Sequence, residues 1–374
     1  MGLKSLLLSS DDKTVRILRR VLSDLEIGVE HCASAEDAVK KLTRQRFEAI
    51  VVDCSDPTDA ASVLKSAKSA PSNSRAIAIV LVESPVGLRG GFEMGAHFVL
   101  HKPLSGERAK TSFRAVRALM KRERRRQLRV AVQVSVECRG FGSAVEFKAR
   151  TLDLCEGGMA LQFPGAIPKE SSLRFALDLP GMDRRFEVEG ELAWEGHGKQ
   201  AGVRFKQISE EQRELLRHWL NGQLPEPEQD DPPVNCTLTD MSLGGCYLKT
   251  ASPFPQSTRV ILSIRAGDIV MRAGGIVRVT HPEFGMGVEF VQTTPQQRDQ
   301  VHHLIDALRA SGSKSPELQV LPDGLEPPAP DNPAEPQVPG TEDALVELFR
   351  YKAQVPVETF LEQMREQRQT LESH

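Results

Sequence analysis

The sequence predicts a multidomain chain: a doubly wound parallel α/β sheet, two small antiparallel β-barrels in tandem, a disordered Pro-rich linker and C-terminal helices. Three observations carry this expectation. Through residue 120, short apolar runs alternate with amphipathic ones, the texture of βα units packed into a parallel sheet. From Val130 the apolar residues change to a period of two, as in half-buried antiparallel strands. That β texture then recurs at nearly one interval. Asp153 in LDLCEGGMAL is answered by Asp240 in LTDMSLGGCYL 87 residues on, and Gly202 in AGVRF by Gly287 in MGVEF 85 residues on. Two features sharing a period argue for a duplicated domain.

Taken in order, SLLLSS, AIVVD, AIAIVLVE and HFVLHKP read as the buried strands of a domain at 1–120, with helical periodicity between them. Residues 121–222 form the first barrel, with strands in VAVQVSVEC, EFKARTLDL, LRFALDL, FEVEGELAWE and AGVRF. A helix over SEEQRELLRHWL closes it, where Ser209 and Gln212 have the spacing of a capping box. GQLPEPEQDDPPVN, with four prolines and four acids, places a linker at 223–234. The second barrel occupies 235–310; its first strand is short or missing, because the prolines run almost into CTLTD, and it ends in the helix-like TPQQRDQVHHLIDALRA. Residues 311–340, rich in Pro, Glu and Asp, are expected to be disordered. Residues 341–374 carry helical patterns broken near Pro356, two short helices docked on a barrel or awaiting a partner.

At 374 residues the chain suits two to four domains, each able to bury a core. From Ser315 onward there are 12 acids against 4 bases, a net of −8, which leaves +5 for the rest of a chain whose total is −3. Such a balance does not describe a whole-protein electrostatic nucleic-acid binder. The six cysteines are scattered, with no C-x-x-C and no metal-ligand spacing. Residues 1–10 are too short an apolar stretch for a signal peptide, and no run reaches membrane-spanning length, so a reducing cytoplasm is expected. No nucleophile–base pair, metal cluster or phosphate-cradling loop is legible, and a catalytic role is not expected. The positive charge concentrates in LMKRERRRQLRVAV, with six cations and one acid from Lys121 to Arg129. A solvated helix end, a nucleic-acid patch and half of a site for a phosphorylated ligand all fit that charge. Against nucleic acid, the run lacks interleaved aromatics and any reading helix.

Residues 1–120 resemble the flavodoxin-like receiver domain of bacterial response regulators. The matching residues are Asp11 after the first strand, Asp53 ending IVVD, and Lys102 before Pro103 in GAHFVLHKP. The resemblance implies Asp53 as phosphoacceptor, Asp11 and Asp53 as ligands of Mg²⁺, a hard cation that takes oxygen donors, Lys102 as neutraliser of the phosphoryl oxygens, and a histidine kinase as partner. Three positions depart from the family. Its first acid aligns with Ser10, with Asp12 one residue past the pair. The hydroxyl after strand four falls near Val82 or Glu83, Ser84 being the nearest hydroxyl. The switch aromatic aligns with Val99, beside Phe98. Losing a carboxylate and both reporters favours a degenerate receiver kept for docking over a phosphorylated switch.

RRQLR (Arg125 to Arg129), followed about 25 residues later by DLCEGG (Asp153 to Gly158), resembles the PilZ domain, a bacterial sensor of cyclic di-GMP. Its signature joins R-x-x-x-R to [D/N]-x-S-x-x-G. The resemblance implies a cyclic di-GMP site of Arg124, Arg125, Arg129, Asp153, Cys155 and Gly158. The chemistry suits that ligand: an arginine fork pairs with phosphate or with guanine O6 and N7, and an Asp accepts from guanine N–H groups. The glycine is expected to supply positive φ and close approach. Cys155 replaces the serine with a weaker hydrogen-bonding group, about 1 kcal/mol of lost interaction. The second barrel keeps Asp240, Ser242 and Gly245 but has no arginine between Gly222 and Asp240, so it is not expected to bind alone; a composite site using the first barrel's arginines stays open. The function expected is a cyclic di-GMP effector acting through protein partners. The alternative is a degenerate scaffold that docks partners without nucleotide.

Overall fold

Short apolar runs alternating with capped helices fold the first 123 residues around a five-stranded parallel sheet. In the computed structural model the described residues are 2–83, 87–140, 146–168, 172–223, 231–266, 269–292, 295–310, 316–326, 343–351 and 357–372. Strands β1 (Leu3–Leu8), β2 (Ile27–Cys32), β3 (Ala49–Asp53), β4 (Ile77–Val82) and β5 (Phe98–His101) lie in the order β2-β1-β3-β4-β5. β3 and β4 are buried along their whole length, as central strands covered on both faces must be. Between them run α1 (Asp12–Asp24), α2 (Ala35–Arg44), α3 (Pro57–Ser69) and α4 (Gly87–Glu93), with α5 (Gly106–Arg126) after β5. Asp11, Ser34 and Asp56 each accept a backbone N–H of the first turn of α1, α2 and α3. This is the doubly wound sheet expected. Its one strand outside the expected runs is β2, an edge strand in which only Ile27 and Cys32 are buried.

The chain divides into two units, residues Arg124–Asp230 and residues Met1–Glu123 with Asp231–His374. The first of these is a barrel. After β6 (Val130–Ala131) come β7 (Ser135–Gly140), β8 (Glu146–Cys155), β9 (Gly158–Gln162), β10 (Leu173–Leu177), β11 (Phe186–Gly196) and β12 (Gln200–Gln207). Six of them follow the order β8-β7-β10-β11-β12-β9 and close by pairing β9 with β8, with β6 alongside β8. Alternate residues point inward, so Val136, Phe175, Phe186 and Val203 fill the core, and α6 (Glu210–Gln223) seals it with Leu216, Trp219 and Leu220. Ser209 caps α6 by accepting the Gln212 N–H at 3.2 Å. Gln212 does not reach back to complete a capping box; its Oε1 accepts the Glu187 N–H of β11 at 3.1 Å.

The other unit contains the parallel sheet and a second closed barrel, β13-β14-β17-β16-β15-β18. Its elements are β13 (Val234–Met241), β14 (Gly245–Lys249), β15 (Thr258–Ala266), β16 (Ile269–His281), β17 (Gly285–Phe290), α7 (Pro295–Ala310) and β18 (Glu317–Leu325). Two expectations are corrected. The first strand is neither short nor missing, since β13 has eight residues. Disorder over 311–340 does not hold for 317–325, which supply the sixth strand, so the barrel extends past 310; residues 311–315 and 327–342 lie outside the described residues. β18 puts Leu318 and Val320 into the core and pairs with both β13 and β15. Its Pro322 and Gly324 sit where pairing with β15 slips by a residue, the kind of irregularity at which a strand tolerates them.

Within this unit one buried apolar cluster runs from Phe113, Val116 and Met120 of α5 into Phe254, Leu262 and Val288 of the barrel. Polar links reinforce it. Arg108 pairs with Glu283, Ser252 Oγ donates to the Thr111 carbonyl at 2.8 Å, and Glu123 Oε1 accepts the Leu325 N–H at 2.6 Å. The chain ends in α8 (Ala344–Tyr351) and α9 (Val357–Glu372), which dock on the same barrel through Leu345, Leu348, Phe349, Phe360 and Met364 against Tyr247 and Val279. Leu318→Ala should lower stability by roughly 2–5 kcal/mol, the usual range for emptying a core leucine site. Denaturant unfolding followed by circular dichroism measures this, and no change would return 317–325 to the status of a loose linker.

Candidate functional site

The last turn of α5 carries Arg124, Arg125 and Arg126, and the chain leaves the helix through Gln127 and Leu128, whose N–H groups donate to the carbonyls of Arg124 and Arg125. Arg129 then stands against β8, where Nη1 donates to Asp153 Oδ1 at 2.6 Å. Arg126 lies 3.5 Å from Glu156 in the β8–β9 turn, with both side chains nearly buried. Two sequence features 24 residues apart thus meet in one place. The Arg129–Asp153 pair is half-exposed, and pairs of that kind contribute only about 0–1 kcal/mol, so a ligand can rearrange it at little cost. Earlier in the basic run, Lys121 pairs with Asp231 at 2.9 Å and Arg122 with Asp323 at 3.1 Å. The run is therefore not a solvated face.

The turn following Asp153 is built by the motif's other two residues. Cys155 is buried and its thiol donates to the Gly158 carbonyl at 3.3 Å. Gly158 does not have positive φ, which corrects the expected reason for a glycine there. A Cβ at Gly158 would overlap the Val203 carbonyl oxygen of β12, so the residue permits one backbone to cross closely over another. The second barrel repeats the construction. Ser242 Oγ donates to the Gly245 carbonyl at 3.3 Å and accepts its N–H at 3.2 Å, and a Cβ at Gly245 would stand 2.5 Å from the Val288 carbonyl oxygen. Asp240 Oδ1 accepts the Met241 N–H at 2.9 Å. In both motifs the residue at the serine position and the glycine are taken up in building the turn.

On the outer surface of the first barrel, strand register sets Asp153 opposite Ala160, Ala160 opposite Gly202, and Gly202 opposite Trp194. Ala160 and Gly202 project no long side chain. The Trp194 indole lies over Gly202 and is 45% exposed. An ion pair at one end and an aromatic face at the other bound this row. Trp194 was missed in the sequence, and the available signal was the glycine of AGVRF, which opens space over its cross-strand neighbour in ELAWEG.

In the parallel sheet Asp53 is buried at the end of β3 and fully engaged. Oδ1 lies 2.8 Å from Lys102 Nζ and accepts from Ser55 Oγ at 2.9 Å, while Oδ2 accepts from Ser9 Oγ at 2.8 Å. Ser9, rather than Ser10, thus faces the acceptor. Asp11 is the cap of α1, accepting from Thr14 Oγ1 and from the Lys13 N–H, and those hydrogen bonds, the Thr14 one foremost, hold its carboxyl below the usual range. Asp11, Glu83 and Lys102 line one pocket of ≈ 310 Å³, with Glu83 3.7 Å from the Lys102 ammonium. Val99 and Phe98 are both buried on β5 and join separate apolar clusters, and Ser84 lies outside the described residues. No group of three or more His, Cys, Asp or Glu residues arranged to hold a metal occurs among the described residues. A hard cation needing several oxygens does not fit a carboxylate already neutralised by lysine.

Comparison with known proteins matches the PilZ domain family to residues 123–222 and again to 225–307. Among solved structures, the receiver domain of a sensor histidine kinase from Pseudomonas aeruginosa PAO1 is 25% identical over 29% of this chain and 90% of that one, with a TM-score of 0.26. The chemotaxis response regulator CheY4 of Vibrio cholerae is 22% identical over 31% and 99%, TM-score 0.29. The PilZ domain of CeSA from a cellulose-synthesizing bacterium is 16% identical over 26% and 97%, TM-score 0.22. No curated protein matches the chain in sequence. The chain is a receiver-like domain followed by two PilZ-like domains. These are domains of cyclic di-GMP-type signalling proteins, and domains of both kinds are typically non-catalytic. Among the described residues no helix is long and apolar enough to cross a membrane.

In the first PilZ-like domain both halves of the motif stand together. The second keeps only the hairpin half. Because its Cβ would meet backbone rather than a movable side chain, Gly158→Ala should destabilise the first PilZ-like domain by about 1–3 kcal/mol, the usual cost of overpacking. Thermal or urea unfolding checks this, and a neutral substitution would remove the close-crossing account.

Proposed function

We propose that this protein is a cyclic di-GMP effector, located in the cytoplasm, that binds the nucleotide on its first PilZ-like domain and signals through protein partners rather than by catalysis. The observation that carries the reading is the 2.6 Å contact between Arg129 and Asp153 at the edge of the row ending in Trp194. Arg124, Arg125 and Arg129 supply forks for the phosphates and guanine acceptor edges, Asp153 accepts from a guanine N–H, and Trp194 offers a face for a base to stack on. Cys155 and Gly158 act one step back, by fixing the turn that presents Asp153.

Calorimetry with cyclic di-GMP tests this directly. Arg125→Ala and Arg129→Ala should each weaken binding about tenfold or more, the loss of a charged hydrogen-bonding partner being roughly 1.5–3 kcal/mol. Asp153→Ala should weaken it while Asp240→Ala leaves it unchanged; the reverse pattern would assign the site to the second domain's turn. Trp194 is one of two tryptophans, and the other, Trp219, is buried. Titration should therefore quench fluorescence in the parent and not in Trp194→Phe, and parent-like titrations of both arginine variants refute the clamp.

The alternative, docking without nucleotide, is favoured for the receiver-like domain alone. Its support is the engagement of both Asp53 oxygens by Lys102, Ser55 and Ser9. On this reading Asp53 is a structural acid, Mg²⁺ has no role there, and output does not need a histidine kinase. Small phosphodonors with Mg²⁺ should label the protein slowly or not at all; rapid stoichiometric labelling that disappears in Asp53→Asn would overturn this.

A further inference from the structure

The outer row of the second PilZ-like domain repeats that of the first, position for position. Asp240 is opposite Tyr247, Tyr247 opposite Gly287, and Gly287 opposite Val279, and the register slips just before Asp240 and Val279 as it does just before Asp153 and Trp194. What covers the row differs. In the first domain Trp194 lies over Gly202 and is half-exposed. In the second, Tyr247 and Val279 are buried beneath α8 and α9, and the Phe349 ring lies over Gly287, where a Cβ would come within 2.7 Å of it. Phe360 stands 5.5 Å from the Tyr247 ring and 4.6 Å from that of His281. The motif turn is engaged as well. Asp343 caps α8 through Oδ1, which accepts the Leu345 and Val346 N–H groups, and its Oδ2 accepts the Gly244 N–H at 2.7 Å.

We infer that the second PilZ-like domain is a helix receptor, whose hairpin and outer row bind the chain's own Asp-capped α8–α9 pair on the face that the first domain offers to a ligand. The ligand class is an amphipathic helix begun by a carboxylate. The backbone N–H of Gly244 takes the carboxylate, and the apolar row takes Leu345, Phe349 and Phe360. Gly244 has a specific part in this. The nearest atoms a Cβ there would meet belong to Val346, at 2.7 Å, and Asp343, at 2.9 Å, on the incoming segment and not on the barrel. A glycine at that point makes room for the helix.

The test uses hydrogen–deuterium exchange on the full chain. Gly244→Ala acts from the barrel side, and Asp343→Ala and Phe349→Ser act from the helix side. Each should speed exchange of α8 and α9 amides about tenfold or more, as expected for losing a charge-assisted contact or an anchor, while strands β13–β18 keep their protection. Unchanged protection of the helices in all three variants overturns the inference. So does joint loss of protection in helices and strands, which would make α8–α9 a wall of the barrel rather than its ligand. Calorimetry adds a second arm: the number of cyclic di-GMP molecules bound per chain should be the same in all variants, and a site appearing only on release of the helices would show a masked nucleotide site. The exchange arm does not depend on nucleotide binding. If the chain bound none, the proposed function would fail and the helix receptor would still be decided.

Discussion

In each barrel the motif glycine marks a crossing where backbone passes over backbone with no space for a side chain. Gly158 lies beneath the Val203 carbonyl in the first, and Gly245 beneath that of Val288 in the second. The hairpin can lie down on the next strand only because of this, and strand closure follows. Closure in turn sets the register that puts Asp153, Ala160, Gly202 and Trp194 in a line. The ion pair at one end and the indole at the other are therefore consequences of a steric fact several residues away. Gly202 and Gly287 apply the same constraint on the outer surface, where the absent side chain lets an aromatic ring lie flat against the sheet.

The parts of the site legible in the sequence were those whose chemistry resides in the side chain itself. Arginines four apart and an aspartate in a hairpin pattern state what they can bind. Cys155, Ser242 and the motif glycines were harder, because their work is defined by which backbone lies beside them, and that is a property of the closed barrel. β18 was hidden by Pro322 and Gly324 and by acidic, proline-rich neighbours, although its alternation of Leu318 and Val320 with polar residues is regular. β2 was missed because an edge strand with two buried residues leaves little periodicity to detect. At Asp53 the contact from Ser9 was not legible, since nothing in two adjacent serines says which one reaches the carboxylate. For α8 and α9 the apolar face was readable, but no pattern within a helix names the surface that receives it.

The basic run shows how a single compositional feature can divide into separate tasks. Lys121 and Arg122 tie α5 to Asp231 and Asp323, and Glu123, the one acid among them, holds the Leu325 N–H. Arg126 and Arg129 instead meet Glu156 and Asp153. Charge density alone suggested a polyanion footprint. Partner by partner, the same residues fasten a helix to one barrel and furnish the rim of the other. The receiver-like domain fits this division, since the apolar side of its last helix serves as a packing surface for the second PilZ-like domain.

The late position of β18 has a consequence for biosynthesis. Sequence order lets the parallel sheet and the first barrel close as they leave the ribosome, each from strands already made. The second barrel must wait for residues 317–325, which arrive after α7 and join the unpaired edges of β13 and β15. Until then a five-stranded sheet stands open on both sides, beside the α5 residues that pack on the finished barrel. Nascent-chain time thus falls unequally on the domains. Open strand edges invite pairing with other chains, so the interval before β18 emerges is when this protein is most exposed to aggregation and to chaperones.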